Sequence, residues 1–211
     1  MARLLVATSN PGKLADIRRI LEHLPVTIAT LQELGPVAEP EETGATFAEN
    51  ARLKALYYDA AARTAAASDR FTIAEDSGLA IDALNGEPGV RSARFLRPDA
   101  TYPDRFNEIY RRLSEAPPQA WSARFMCALA VVQTGTVVYE TTGTIEGRIA
   151  DAPSGTDGFG YDPIFYHPPS GCTLAEISMD AKARVSHRGH AFRRLAVWLR
   201  EPLDERPGGC V

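Results

Sequence analysis

Glu75 and Asp76 stand side by side in the stretch Phe71 to Phe95, FTIAEDSGLAIDALNGEPGVRSARF, with an apolar run on either side. Phe71-Thr72-Ile73-Ala74 reads as a buried strand, and Leu79 to Leu84 is apolar again. Two adjacent acids in such a setting cost several kcal/mol unless something compensates them. A hard cation such as Mg²⁺ is the usual compensation for clustered oxygen ligands. Gly78 is expected to let the backbone bend, and Asn85-Gly86 and Pro88-Gly89 mark turns just beyond. The same letters also fit an acidic turn between two ordinary strands.

Lysine is the second chemical signal. Of the 23 basic residues only Lys13, Lys54 and Lys182 are lysine, so the remaining 20 are arginine. A compact ammonium suits a phosphate, and each lysine lies in a stretch with other features of interest. Lys13 closes Thr8-Ser9-Asn10-Pro11-Gly12-Lys13, a polar turn between the apolar strand Leu4 to Ala7 and a helix marked by Leu14, Ile17, Ile20, Leu21 and Leu24. Such a corner offers backbone N–H groups and a favourable dipole to an anion. It is not a Walker A loop, because Ala7 and Leu14 stand where a glycine and a Ser/Thr are required; a plain capped turn is the alternative. Lys54 lies four residues after Asn50 on a helix that opens with the capping box Thr46-Phe47-Ala48-Glu49 and is expected to run to about Ser68. The loop before it, Gly35 to Gly44, carries Glu39, Glu41 and Glu42. Either these are solvated, or one of Glu41 and Glu42 reaches the same cation as Asp76. Lys182 sits on a short helix within Thr173 to Val185. Ser186-His187-Arg188-Gly189 is expected to interrupt it before a final amphipathic helix, His190 to Leu199.

The flexible stretch Asp151 to Gly160, DAPSGTDGFG, runs opposite to the dinucleotide fingerprint and has no helix after it. Phe159-Gly160-Tyr161-Asp162 then places two aromatics, expected at the surface, and a carboxylate at a strand start. An aromatic beside glycine suits a flat base, and a local hydrophobic anchor is the alternative.

Several elements must position these groups. Val26 to Leu31 reads as a strand, and Asp99-Ala100-Thr101 leads a helix to about Leu113. Trp121, Ala123, Phe125, Cys127 and Leu129 alternate along one strand face. Gln133-Thr134-Gly135-Thr136 turns that strand into Val137 to Thr144, extended by Gly143 to Ile149. Glu201 to Val211 reads as a frayed, disordered tail. The 211 residues suit one large domain or two lobes. Hydrophobic content of 45% and charged content of 24% are ordinary for a globular protein, and a net charge of −4 argues against a nucleic-acid polymer or a membrane surface as partner. No apolar run approaches the ~18 residues of a membrane span, and the N-terminus lacks signal-peptide anatomy. Cys127, Cys172 and Cys210 read as reduced cytosolic thiols.

TSNPGK, AEDSG, FGYDPIF and SHRG occur in one order over Leu4 to Leu199, and together they resemble the non-canonical purine nucleoside triphosphate pyrophosphatases, the inosine/xanthosine triphosphate pyrophosphatase family. The resemblance implies an α/β fold: an elongated mixed β-sheet with flanking helices in two lobes and a central substrate cleft, one domain over residues 1–200. It implies a cytoplasmic, Mg²⁺-dependent homodimer that cuts ITP, dITP or XTP to monophosphate and pyrophosphate, cleansing the nucleotide pool. By the same resemblance Thr8, Ser9, Asn10 and Lys13 bind phosphate and Lys54 faces it. Asp76 is the catalytic proton acceptor, Glu42, Glu75 and Asp76 hold the metal, and Ser77 touches substrate. Phe159, Gly160, Tyr161 and Asp162 take the base, and Lys182, His187 and Arg188 contact base and phosphate. The expected chemistry is attack of water at the α-phosphorus, with Asp76 orienting or deprotonating it directly or as a metal ligand. Donors from His187 and Arg188 would favour a 6-oxo purine over adenine. A pyrophosphatase for modified pyrimidines and a non-hydrolytic nucleotide sensor are the competing readings.

Overall fold

The structure, a computed structural model, describes residues 2–64, 70–97 and 99–201. Among the described residues seven strands form one sheet in the order β2-β1-β3-β4-β5-β6-β7. These are β1 Ala2–Val6, β2 Val26–Thr30, β3 Arg70–Ile81, β4 Ser122–Gln133, β5 Thr136–Ile149, β6 Phe165–His167 and β7 Cys172–Thr173. The sheet is mixed: β1 pairs in parallel with β2 and β3, whereas β6 pairs antiparallel with β5 and β7. Among the described residues five α-helices accompany it: α1 Pro11–Leu21, α2 Phe47–Thr64, α3 Tyr102–Leu113, α4 Met179–Val185 and α5 His187–Arg200. No helix among the described residues is long and apolar enough to cross a membrane.

The chain divides into two compact units, Met1–Asp76 with Cys127–Gly143 and Arg188–Val211, and Ser77–Met126 with Thr144–His187. In the first unit the period-two alternation of the strands supplies two apolar faces. Leu4, Val6, Phe71, Ile73, Cys127, Leu129 and Val131 pack with Ile17 and Leu21 of α1 and Phe192, Leu195 and Trp198 of α5. The alternate residues Ala7, Ala74, Ala128, Ala130 and Val132 pack with Ala51, Ala55 and Tyr58 of α2. Small side chains on that second face let α2 lie close to the strands. In the second unit Leu79, Ile81, Ala123, Phe125, Ile145 and Ile149 form one core with Phe106, Ile109 and Leu113 of α3, closed by Tyr161, Ile164, Phe165 and Leu174.

Local chemistry sets the element ends. Asn10 caps α1 by accepting from Lys13 N at 3.1 Å. The expected box at α2 forms, with Thr46 Oγ1 accepting from Glu49 N and Glu49 Oε2 from Thr46 N. Thr134 (φ 51°) and Gly135 (φ 84°) make the two-residue turn between β4 and β5.

Three expectations need correction. β3 does not stop at the acids; the strand continues through Glu75-Asp76-Ser77-Gly78 to Ile81. Gly78 serves close approach instead, since a Cβ there would lie 2.3 Å from Ser92 Oγ and 2.6 Å from Gly89 O. The interruption expected over Ser186 to Gly189 is present but shorter. Ser186 alone is extended (φ −69°, ψ 156°), and α5 begins at His187. Tyr161 is not a surface aromatic; it is 3% exposed and donates its hydroxyl to Ser92 O at 2.8 Å. The helix end expected at Ser68, Cys210 and the tail beyond Glu201 lie outside the described residues.

Candidate active site

Because adjacent strand residues point to opposite faces, β3 sends its two acids to different helices. Glu75 faces α1 and α5. Its Oε1 takes Lys13 Nζ at 2.9 Å and Arg188 Nη2 at 3.2 Å, and its Oε2 takes the Cys127 thiol at 3.4 Å. Arg188 is fixed in turn by Asp16 on α1, with Nη1 to Oδ2 at 2.7 Å. Asp76 faces α2. Its Oδ1 takes Lys54 Nζ at 3.2 Å and its Oδ2 takes Asn50 Nδ2 at 3.1 Å. Lys54 also reaches Glu42 Oε1 at 2.7 Å. Asn50 is fully buried, and its Oδ1 accepts from Gly44 N at 2.8 Å, which orients the amide. Gly44 is required by packing: a Cβ there would sit 2.6 Å from Asn50 Oδ1 and 2.7 Å from Glu49 Cβ. The loop can therefore press onto the start of α2 and bring Glu42 to Lys54.

The two acids differ electrostatically. Burial works against the charge on Glu75, but Arg188, Lys13 and Lys54 outweigh it and hold the carboxyl well below its usual range. Burial raises the Asp76 carboxyl, with Lys54 and Lys13 opposing and Glu42 and Glu75 reinforcing. Burial opposes the charge on Lys54 as well, but Asp76 and Glu42 keep its ammonium protonated. Burial and Glu75 push the Cys127 thiol well up, so it stays a neutral donor. Exposure sorts the cations. The Lys13 and Lys54 side chains keep 18% and 13% solvent contact, whereas that of Arg188 keeps 2%. The two ammonium groups can meet an anion; the guanidinium is sealed among protein groups.

Thr8 Oγ1 accepts from Asn10 N at 3.2 Å, and Ser9 donates its hydroxyl to Glu39. Both lie beside the capped N-terminus of α1 that carries Lys13. In the second unit, Asp162 Oδ2 accepts from Lys182 Nζ at 2.6 Å and from Phe159 N at 2.7 Å. Lys182 Nζ also lies 4.7 Å from the Phe159 ring centroid. Phe159 and Gly160 are half-buried, and Gly160 is left-handed at φ 69°. His187 is buried, with its ring stacked on Phe125 at 4.8 Å and 14°. Ser77 is half-buried on β3.

The predicted residues thus fall into two constellations. Lys13, Glu42, Lys54, Glu75, Asp76 and Arg188 belong to the first unit; Phe159, Gly160, Tyr161, Asp162, Lys182 and His187 belong to the second. Lys182 pairs with Asp162 within the second unit. Arg188 braces Glu75. Glu42, Glu75 and Asp76 do not gather into one ligand set, and no three His, Cys, Asp or Glu side chains among the described residues do so. Asp16, Gly44 and Cys127 join the site although nothing local marks them. Asn50 was visible only through its spacing from Lys54.

A mixed α/β sheet with an acid-and-ammonium centre on its third strand defines the class. The chain belongs to the Ham1 family, whose model matches residues 4–198. It is 41% identical over 204 residues to a dITP/XTP pyrophosphatase from Halalkalibacterium halodurans, covering 94% of this chain and all of that one. A dITP/XTP pyrophosphatase from Syntrophobacter fumaroxidans is 44% identical over 196 residues, covering 92% and 80%. Among solved structures, a HAM1 protein from Coxiella burnetii matches with a TM-score of 0.83 at 36% identity, covering 96% of this chain and all of that chain.

Proposed function

We propose that the chain hydrolyses non-canonical purine nucleoside triphosphates, ITP, dITP and XTP, to the monophosphate and pyrophosphate. The observation that carries the proposal is the split acid pair on β3: one carboxylate locked in its charged form and one raised toward a base, each beside a partly exposed ammonium. Lys13 and Lys54, with the N-terminus of α1, bind and orient the phosphates. Asp76, aimed by Asn50, accepts a proton from the attacking water.

Glu42 and Asp76 would hold a divalent cation. Both already converge on the single ammonium of Lys54, and two carboxylates plus substrate phosphates and water are the donor set Mg²⁺ takes. When bound, the cation supplies neutralisation of the phosphate charge. Glu75 is committed to Lys13, Arg188 and Cys127, so its role is to hold Lys13 in place. In the second unit, the Phe159 ring is the base platform, fixed by Asp162 and Lys182, and Tyr161 is the strut behind it. The resemblance also carries a homodimer and a cytoplasmic place of action into this reading.

The test is a substrate panel of ITP, dITP, XTP, GTP and ATP with Mg²⁺. The reading expects the first three to turn over well ahead of the last two. Equal rates on all five would refute the base selectivity.

A further inference from the structure

Two residues in the first turn of α3, Tyr102 and Arg105, take no part in the reading so far. Arg105 is only 5% exposed. Its Nε donates to Phe95 O at 3.2 Å, and its guanidinium carbon lies 4.9 Å from the centroid of the Tyr102 ring. No carboxylate among the described residues pairs with it. Buried charges are normally paired, so this one leaves a positive field that falls on Tyr102.

Tyr102 is half-buried. Its ring meets Tyr161 edge-on at 5.3 Å and 90° and tilts on Phe106 at 6.2 Å. Its hydroxyl lies over Gly160: a Cβ built there would be 3.5 Å from Tyr102 Oη. That hydroxyl makes no hydrogen bond to a described residue. A phenylalanine would pack as well against Tyr161 and Phe106, so packing does not account for the oxygen. Gly160, beside Phe159, belongs to the segment assigned to the base.

We infer that Tyr102 is a specificity-determining contact for the purine, its hydroxyl donating to a carbonyl oxygen of the base. Arg105 is a positioning residue that holds the ring and biases the spot toward oxygen. The one exocyclic oxygen of hypoxanthine is on C6, and the amino group that adenine carries in its place would bring positive hydrogens into a positive field. The inference rests on the pyrophosphatase reading.

The experiment compares wild type, Tyr102→Phe, Arg105→Lys and Arg105→Gln by steady-state kinetics on ITP and ATP, by calorimetric binding of IMP and by thermal melting. Tyr102→Phe is expected to raise the KM for ITP and the Kd for IMP about five- to tenfold. It is expected to leave kcat within about twofold and the melting temperature unchanged, and to narrow the preference for ITP over ATP by a similar factor. Arg105→Lys should keep most of that preference and Arg105→Gln lose it; if Arg105→Gln does not fold, Tyr102→Phe decides alone. Wild-type KM, Kd and preference in Tyr102→Phe would overturn the inference, as would an equal loss on ITP and ATP. A wild type that fails to cut ITP would instead refute the reading on which the inference rests.

Discussion

Adjacent side chains of an extended strand leave it on opposite faces, and at Glu75 and Asp76 this turns one acidic dipeptide into two different instruments. Glu75 is held charged in a buried network with Lys13, Arg188 and Asp16; Asp76 is held by Asn50 and Lys54 with its carboxyl raised. Mutation should separate them. Glu75→Gln leaves two cations facing a neutral amide and is expected to lose about 3–5 kcal/mol of unfolding free energy in urea denaturation. For Asp76 the sign reverses: a raised carboxyl means that the ionised form is disfavoured by the fold at neutral pH, so Asp76→Asn in a chelator should not lower that free energy. Its turnover on ITP should nonetheless fall on the order of 10²–10³. An Asp76→Asn enzyme that works normally, or a Glu75→Gln protein as stable as wild type, would contradict this division.

At the scale of the element, β3 depends on contacts that no local pattern reveals. Ser92 Oγ accepts from Leu79 N at 2.9 Å and donates to Gly89 O at 2.7 Å, filling the space where a side chain at position 78 would stand. Gly78→Ala is therefore expected to cost about 1–3 kcal/mol by overpacking, read from the shift in the urea midpoint; an unshifted midpoint would show that the strand relaxes freely. Here lies the reason the sequence misleads at Ser77-Gly78. Glycine after serine signals a turn locally, but this glycine answers to residues 11 and 14 positions later. The run Ser186 to Gly189 misleads in the same way: four polar or small residues resemble a loop, yet burial of Arg188 against Asp16 and Glu75 lets the helix begin at His187. Where the determinant is local the sequence is legible, as at the capping box of α2 and the Thr134-Gly135 turn.

For the whole molecule, the mixed sheet, its flanking helices and the family were legible because they follow from alternation, helical spacing and the order of four motifs. The partners of the individual lysines were not. Lys13 and Lys54 meet on the acids of β3, whereas Lys182 is paired with Asp162 in the second unit. Arg188 and Asp16 lie 172 residues apart in the chain, and their pairing is a property of the fold alone. The measurement that bears most directly on the account is hydrolysis of ITP in ¹⁸O-labelled water with Mg²⁺, with every product identified. The account predicts IMP and pyrophosphate in equal amounts, the label in the IMP phosphate, and no turnover when a chelator removes the cation. Release of IDP with inorganic phosphate, or label in the pyrophosphate, would contradict it.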